Sequence, residues 1–153
     1  MNAAPVAVVG AGLAGIACAR ALAAAGIAVR VFEAQRAPGG RLATKRVAAA
    51  SFDHGAQYLT ADEPDFRRLL EQAAAAGAAG SWRPAWPQRD GSIALWVGLP
   101  SMAALPRLLA ADLDVEYGAR ILRIAHARAG WALLDDRGFA HADFAAVAIA
   151  LPA

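Results

Sequence analysis

The chain has 153 residues, 58% of them hydrophobic, with 15 basic and 13 acidic residues for a formal net charge of +2. That length supports one domain with a real core and is too short for two of full size. The small charge and scattered basic residues argue against a surface that tracks a nucleic-acid backbone, so no nucleic acid is expected as a partner.

Cys18 is the one cysteine, so no disulfide can close within the chain, which suits the reducing cytoplasm. It stands in an alanine-rich helical pattern and reads as a small packed hydrophobe. Met1–Pro5 carries no side-chain charge, which argues against a secretion signal. Ala3–Ala19 holds three glycines and falls short of the ~20 apolar residues of a membrane span. A soluble, cytoplasmic protein without a membrane partner is expected.

Val6–Val9 is a short apolar run suited to a strand buried on both faces. Gly10-Ala11-Gly12-Leu13-Ala14-Gly15 follows, then a helix over Ile16–Ala25 with Gly26 as its left-handed cap. A second apolar strand runs over Ala28–Phe32, and Glu33 ends it 18 residues beyond Gly15. In a strand–turn–helix setting each glycine has a task. Gly10 permits the tight turn, Gly12 lets backbone approach a pyrophosphate, and Gly15 lets helix and strand pack closely. The phosphates face the free N–H groups of Leu13, Ala14 and their neighbours at the positive end of the helix dipole. Glu33 accepts from an adenosine ribose and repels a 2′-phosphate. The motif points to a dinucleotide and leaves NAD and FAD open.

Glu33–Arg46 carries Pro38, two glycines and four basic residues and reads as a loop. Gly39-Gly40 allows a second close backbone approach, and Arg41 offers a planar fork of donors to a pyrophosphate.

The pair GAGLAG…FEAQRAPGGR resembles the FAD-binding opening of the flavin amine oxidase superfamily. FDHGAQYLT (Phe52–Thr60), GLPSMAALPRLLA (Gly98–Ala110), GARILRI (Gly118–Ile124) and VAIALPA (Val147–Ala153) resemble the renalase-like NAD(P)/FAD-dependent oxidoreductases within it. The resemblance implies FAD as cofactor. Gly40 and Arg41 would contact its diphosphate, Gly55-Ala56-Gln57-Tyr58 would run beside the flavin, and the backbone of Ile121 would hold the adenine. His54 is assigned no chemistry.

Asp62–Gly77 reads as an amphipathic helix with an acidic start and Pro64 in its first turn. Ser81–Val97, with Trp82, Trp86, Trp96 and an Asp90-Gly91 turn, reads as a β-hairpin. Its tryptophans suit either a substrate-side wall or the packing of a small sheet. Ser101 is a plausible N-cap for a helix ending near Ala111, with Pro106 as a kink or as the true start. Arg120–Ala127, Trp131–Asp135 and Phe139–Asp143 form a meander with a turn at Asp136-Arg137-Gly138, and Val147–Leu151 returns as a buried strand.

The expected architecture is therefore α/β: a Rossmann-like FAD-binding domain of the glutathione reductase type, residues 1–60 and 98–153, with a small β-meander. Residues 61–97 form part of a substrate-side subdomain, and the C-terminal part of the fold is expected to be missing. The resemblance implies an oxidoreductase that passes a hydride from an amine or a dihydronicotinamide-like donor to flavin N5, with oxygen reoxidising the flavin. The chain corresponds to the N-terminal portion of such an enzyme, without residues assignable to catalysis or to a metal. A non-catalytic FAD-binding fragment and an NAD(P)-binding dehydrogenase or reductase domain are the alternatives, and self-association through exposed apolar surface is expected.

Overall fold

A computed structural model describes residues 3–84 and 94–152. In chain order the elements are β1 (Val6–Val9), α1 (Leu13–Ala24), β2 (Val29–Glu33), β3 (Thr44–Val47), β4 (Ala50–Asp53), β5 (Leu59–Thr60), α2 (Pro64–Ala75) and β6 (Ala79–Trp82). They continue with β7 (Leu95–Gly98), α3 (Ala104–Ala110), β8 (Val115–Tyr117), β9 (Ile121–Ala127), β10 (Gly130–Asp135), β11 (Ala140–Phe144) and β12 (Ala146–Ile149). The chain forms two compact units, residues 1–40 with 109–153, and residues 41–108. No helix among the described residues is long and apolar enough to cross a membrane.

The first unit is built on a four-stranded sheet in the order β12-β1-β2-β8, with every neighbouring pair parallel. Its central strand is VAVV, whose Ala7, Val8 and Val9 are buried. An apolar run without alternation suits a strand covered on both faces. On one face lies the antiparallel meander β11-β10-β9, and Ala7, Val9 and Phe32 join Ala119, Leu133 and Phe144 in a single core. The Phe144 ring meets Phe32 edge-on at 5.8 Å. Strand alternation turns Val8 and Val31 to the other face, where α1 packs against β1 and β2 with Ile16 and Ala19 buried.

A network of ions joins the meander to the sheet. The fully buried carboxylate of Asp135 accepts from Arg137 Nε at 2.9 Å, from the amides of Arg137 and Phe139, and from His141 Nε2 at 3.2 Å. Arg137 also reaches Glu116, which accepts from Arg30 at 2.7 Å. Burial alone would raise the Asp135 pKa, but these donors outweigh it and hold the carboxyl well below the usual range.

In the second unit, β3 and β4 form an antiparallel hairpin, and β5-β7-β6 form a three-stranded antiparallel sheet. Helix α2 starts at Pro64 with Asp65 in its first turn, buries Leu70 and Ala73, and packs on β6. The hydroxyl of Thr44 donates to Asp53 Oδ1, and these two oxygens accept the amides of Ala103 and Met102 at 3.2 Å each. They satisfy backbone donors leading into α3 that no helical carbonyl can reach.

Several elements differ from the sequence expectation. Helix α1 begins at Leu13 rather than Ile16, because Ile16 already donates to Gly12 O at 3.0 Å. Glu33–Arg46 is not loop throughout: it holds a 3-10 turn at Gly40–Leu42 and the start of β3. Pro106 does not open α3, which starts at Ala104. As the third residue of the helix, it lacks an N–H that would have no intrahelical partner anyway. Strand β8 was not expected. The Trp82 and Trp96 strands pair as a hairpin (Ser81↔Trp96), while Trp86 and the Asp90-Gly91 turn lie outside the described residues.

Candidate functional site

The carboxyl ends of parallel strands, where the order reverses between β1 and its two neighbours, form the crevice in which ligands of open α/β sheets sit. Here that position holds the glycine turn between β1 and α1. Gly10 has φ +105, and a Cβ on it would lie 2.7 Å from Ala150 O. A Cβ on Gly15 would lie 1.9 Å from Gly10 O. Both glycines are therefore required by the protein's own packing.

Gly12 is different. Its φ of −73° suits any residue, and the nearest protein atom to a Cβ there is Gly40 Cα at 3.9 Å. Among the described residues nothing crowds a Cβ at Gly12. It is also the N-cap of α1, with no capping side chain, so donors at the start of the helix, around Leu13 and Ala14, are open to an anion. The absent side chain leaves a cradle that a Cβ would fill, which fits the diphosphate of a dinucleotide.

The second glycine pair closes on the first. Gly39 donates to Ala11 O at 2.9 Å and bridges Gly12 in parallel fashion. Gly40 has φ +53, and its Cβ would stand 3.1 Å from Gly12 Cα. Two segments far apart in sequence thus meet as bare backbone over the helix N-terminus.

Glu33 forms the other wall. It is 8% exposed, and its carboxylate accepts from Ala11 N at 2.7 Å and from Gln35 N at 2.8 Å. Each oxygen takes one amide and keeps a lone pair for a ligand hydroxyl. Glu33 thereby holds the glycine turn against the end of β2 before any ligand arrives. Ala119 and Gly118 donate to the carbonyls of Glu33 and Gln35, both at 2.9 Å, which brings the segment before Ile121 to the same strand end. Ile121 itself opens β9, half-buried against the core. Tyr117 stands beside Glu33 in register. Burial, and next the Glu33 charge, raise its pKa above 10.0. Tyr117 lies outside every sequence motif, because Val115-Glu116-Tyr117 is too short to show a strand period.

The remaining expected residues lie in the second unit. Arg41 O accepts from Ala56 N at 2.7 Å, and a Cβ on Gly55 would fall 1.9 Å from the same oxygen. The GG-R and GAQ motifs are thus joined through backbone that only glycine admits. The side chains of Arg41 and Gln57 are exposed, as is that of His54. Tyr58 lies 5.9 Å from the Trp82 ring.

Among the described residues one other cluster has ligand-type chemistry: Glu116, Asp135 and His141 bring donor atoms within 4.8 Å. Arg30 and Arg137 already pair with its carboxylates, so the group reads as an ion-pair network.

Residues 8–73 match the family model of the NAD(P)-binding Rossmann-like domain. The fold is Rossmann-like. Over 67 residues, 44% of this chain and 14% of the relative, the sequence is 42% identical to putrescine oxidase of Kocuria rosea. The solved structure of a putrescine oxidase bound to putrescine superposes with a TM-score of 0.76 at 16% identity, covering 97% of this chain and 58% of that one. The Diels-Alderase PyrE3 of pyrroindomycin biosynthesis gives a TM-score of 0.61 at 17% identity, over 91% of this chain and 30% of its own. The chain thus spans little more than half of the putrescine oxidase structure. The sequence likeness to putrescine oxidase covers under half of this chain, and the structural likeness extends the shared fold to nearly all of it.

Proposed function

We propose that this chain is the FAD-binding N-terminal portion of a flavin-dependent oxidoreductase of the amine oxidase type. The observation that carries the reading is Gly12: a Cβ there would meet no described protein atom closer than 3.9 Å, which leaves room at the helix N-terminus for a ligand. Gly10, Gly12 and Gly15 with the amides of Leu13 and Ala14 would seat the diphosphate, and Glu33 the ribose. Gly40 and Arg41 would add the second phosphate contact. Ala56, Gln57 and Tyr58 would border the flavin, and the Ile121 backbone would hold the adenine. A purely nicotinamide-binding domain accounts for the first glycine turn and gives no reason for the Arg41–Ala56 backbone link.

When bound, FAD would supply the hydride acceptor for oxidation of a small donor. The work of this chain's own residues is to bind and orient: backbone amides meet the phosphates at the helix N-terminus, and the buried Glu33 fixes the nucleoside end. The donor would be an amine, as the putrescine oxidase homology suggests, or a dihydronicotinamide-like compound, as the renalase-like motifs suggest. Residues 1–60 with 98–153 would serve the cofactor and 61–97 the substrate side, in a cytoplasmic protein. Ile149 and Leu151, 65% and 57% exposed at the β12 edge, favour association with further apolar surface.

The test is to purify the chain and titrate it with FAD, following flavin fluorescence and the visible spectrum. Saturable quenching with a shifted flavin spectrum is expected. A chain that leaves both unchanged would sink the proposal.

A further inference from the structure

We propose that Tyr117 is the surface against which the base of the ligand's nucleoside packs, so that the end of the crevice set by Glu33 takes a purine stacked on the phenol ring. This rests on the dinucleotide reading above and assigns a residue that neither the motifs nor the comparisons single out.

Strand β8 pairs in parallel with β2 at Val31↔Val115, Phe32↔Glu116 and Glu33↔Tyr117. Partners in register share a face of the sheet, so Tyr117 stands beside Glu33 on the side opposite Phe32 and Glu116. Phe32 is committed to the meander core and Glu116 to the arginines. Tyr117 thus stands on the glycine-turn side, since the Glu33 carboxylate reaches Ala11 N there.

The ring's setting suits a platform. Tyr117 keeps 38% of its surface exposed, although it sits at the strand end where the crevice opens. Its backbone is held in place: the next two amides, of Gly118 and Ala119, donate to β2-end carbonyls, and Gly118 at φ +69 turns the chain away directly after the ring. A ring on so fixed a backbone loses little freedom when a base lies on it. A phenol is neutral at physiological pH, and burial, then the Glu33 charge, raise the pKa of this one further. A ribose held by Glu33 places its base within reach of a neighbouring ring. Every base has a π-face, so such stacking requires an aromatic ring and no particular hydrogen bond.

The experiment compares the parent chain with Tyr117→Phe and Tyr117→Leu, titrated with FAD by fluorescence and with ADP by calorimetry, with thermal melts of all three. Tyr117→Phe keeps the ring and should bind both ligands within about twofold of the parent. Tyr117→Leu keeps apolar bulk, and so the fold, but should weaken both by about tenfold. Equal losses in the Phe and Leu variants would assign the effect to the hydroxyl and overturn the proposal. So would a loss confined to FAD, which would place the ring at the flavin end, or a Leu variant that binds ADP like the parent. A parent chain that binds neither ligand would overturn the dinucleotide reading together with this one. A parent that binds both, with an indifferent Leu variant, overturns this one alone.

Discussion

Replacing Gly12 and Gly15 by alanine, separately, divides the glycines that the fold needs from the one that the ligand needs. At Gly12 the new Cβ meets nothing nearer than 3.9 Å, and φ is an ordinary −73°. Losing glycine at an N-cap costs about 0.5–1 kcal/mol, and alanine's smaller unfolded-state entropy offsets about 0.4–1 kcal/mol of that. The melting temperature should therefore move by about 2 °C or less. At Gly15 the Cβ would fall 1.9 Å from Gly10 O, so helix and strand must separate. That overpacking costs about 3 kcal/mol, or roughly 6–12 °C for a chain of this size. Ligand affinity should rank the other way in relation to stability. Gly12→Ala removes at least one amide–phosphate hydrogen bond, worth about 1.5–3 kcal/mol, so FAD binding should weaken by roughly 10–150-fold. Circular dichroism melts and fluorescence titration of both variants read the two effects independently. A Gly12→Ala chain that melts as low as Gly15→Ala, or that binds FAD like the parent, would refute the reasoning.

Glu33→Gln gives one of the two amides, of Ala11 or Gln35, an NH2 group where it needs an acceptor; stability without ligand should fall by about 1–2 kcal/mol, and an unchanged denaturation midpoint would contradict the clamp. Arg41→Ala changes an exposed side chain and should leave the melt unchanged while weakening FAD binding and flattening its salt dependence; identical titrations at low salt would remove the residue from the site. Asp135 has a folded pKa below its unfolded one, so its contribution to stability is present above the usual carboxylate range and is lost as pH falls through and below that range. Asp135→Asn should therefore be less stable at neutral pH and show a shallower acid limb, and parallel stability–pH curves for the two chains would count against this. Tyr117 has its folded pKa raised above 10.0, so its contribution is complete below that pH and declines as pH rises through the folded value. Tyr117→Phe should flatten the alkaline limb of the same curve, and an unaltered limb would speak against the raised pKa that burial, and next the Glu33 charge, give this phenol.

The local pattern of the sequence determined a good deal. A β-branched run, three glycines and an acid at fixed spacing define strand, turn and helix, because buried parallel strands and helix N-termini tolerate few alternatives. The meander was legible for a similar reason: alternating strands between Gly-containing turns leave little choice of pairing. Strand β8 was not legible, since three residues with a charged centre hold too little periodicity; its pairing with β2 and the Arg30–Glu116–Arg137 network fix it. Sequence named Gly10, Gly12 and Gly15 as one motif, and only tertiary structure separated their tasks. What a Cβ would strike depends on Ala150, Gly40 and the Gly10 carbonyl, atoms that the folded chain brings together. The same holds for Glu33, whose spacing suggested a ligand contact but whose two bonds to backbone amides show that it also builds the turn it serves. Spacing along a chain can specify which groups are available. Which of them are already used by the protein, and which are left for a ligand, is settled by the close packing of segments distant in sequence.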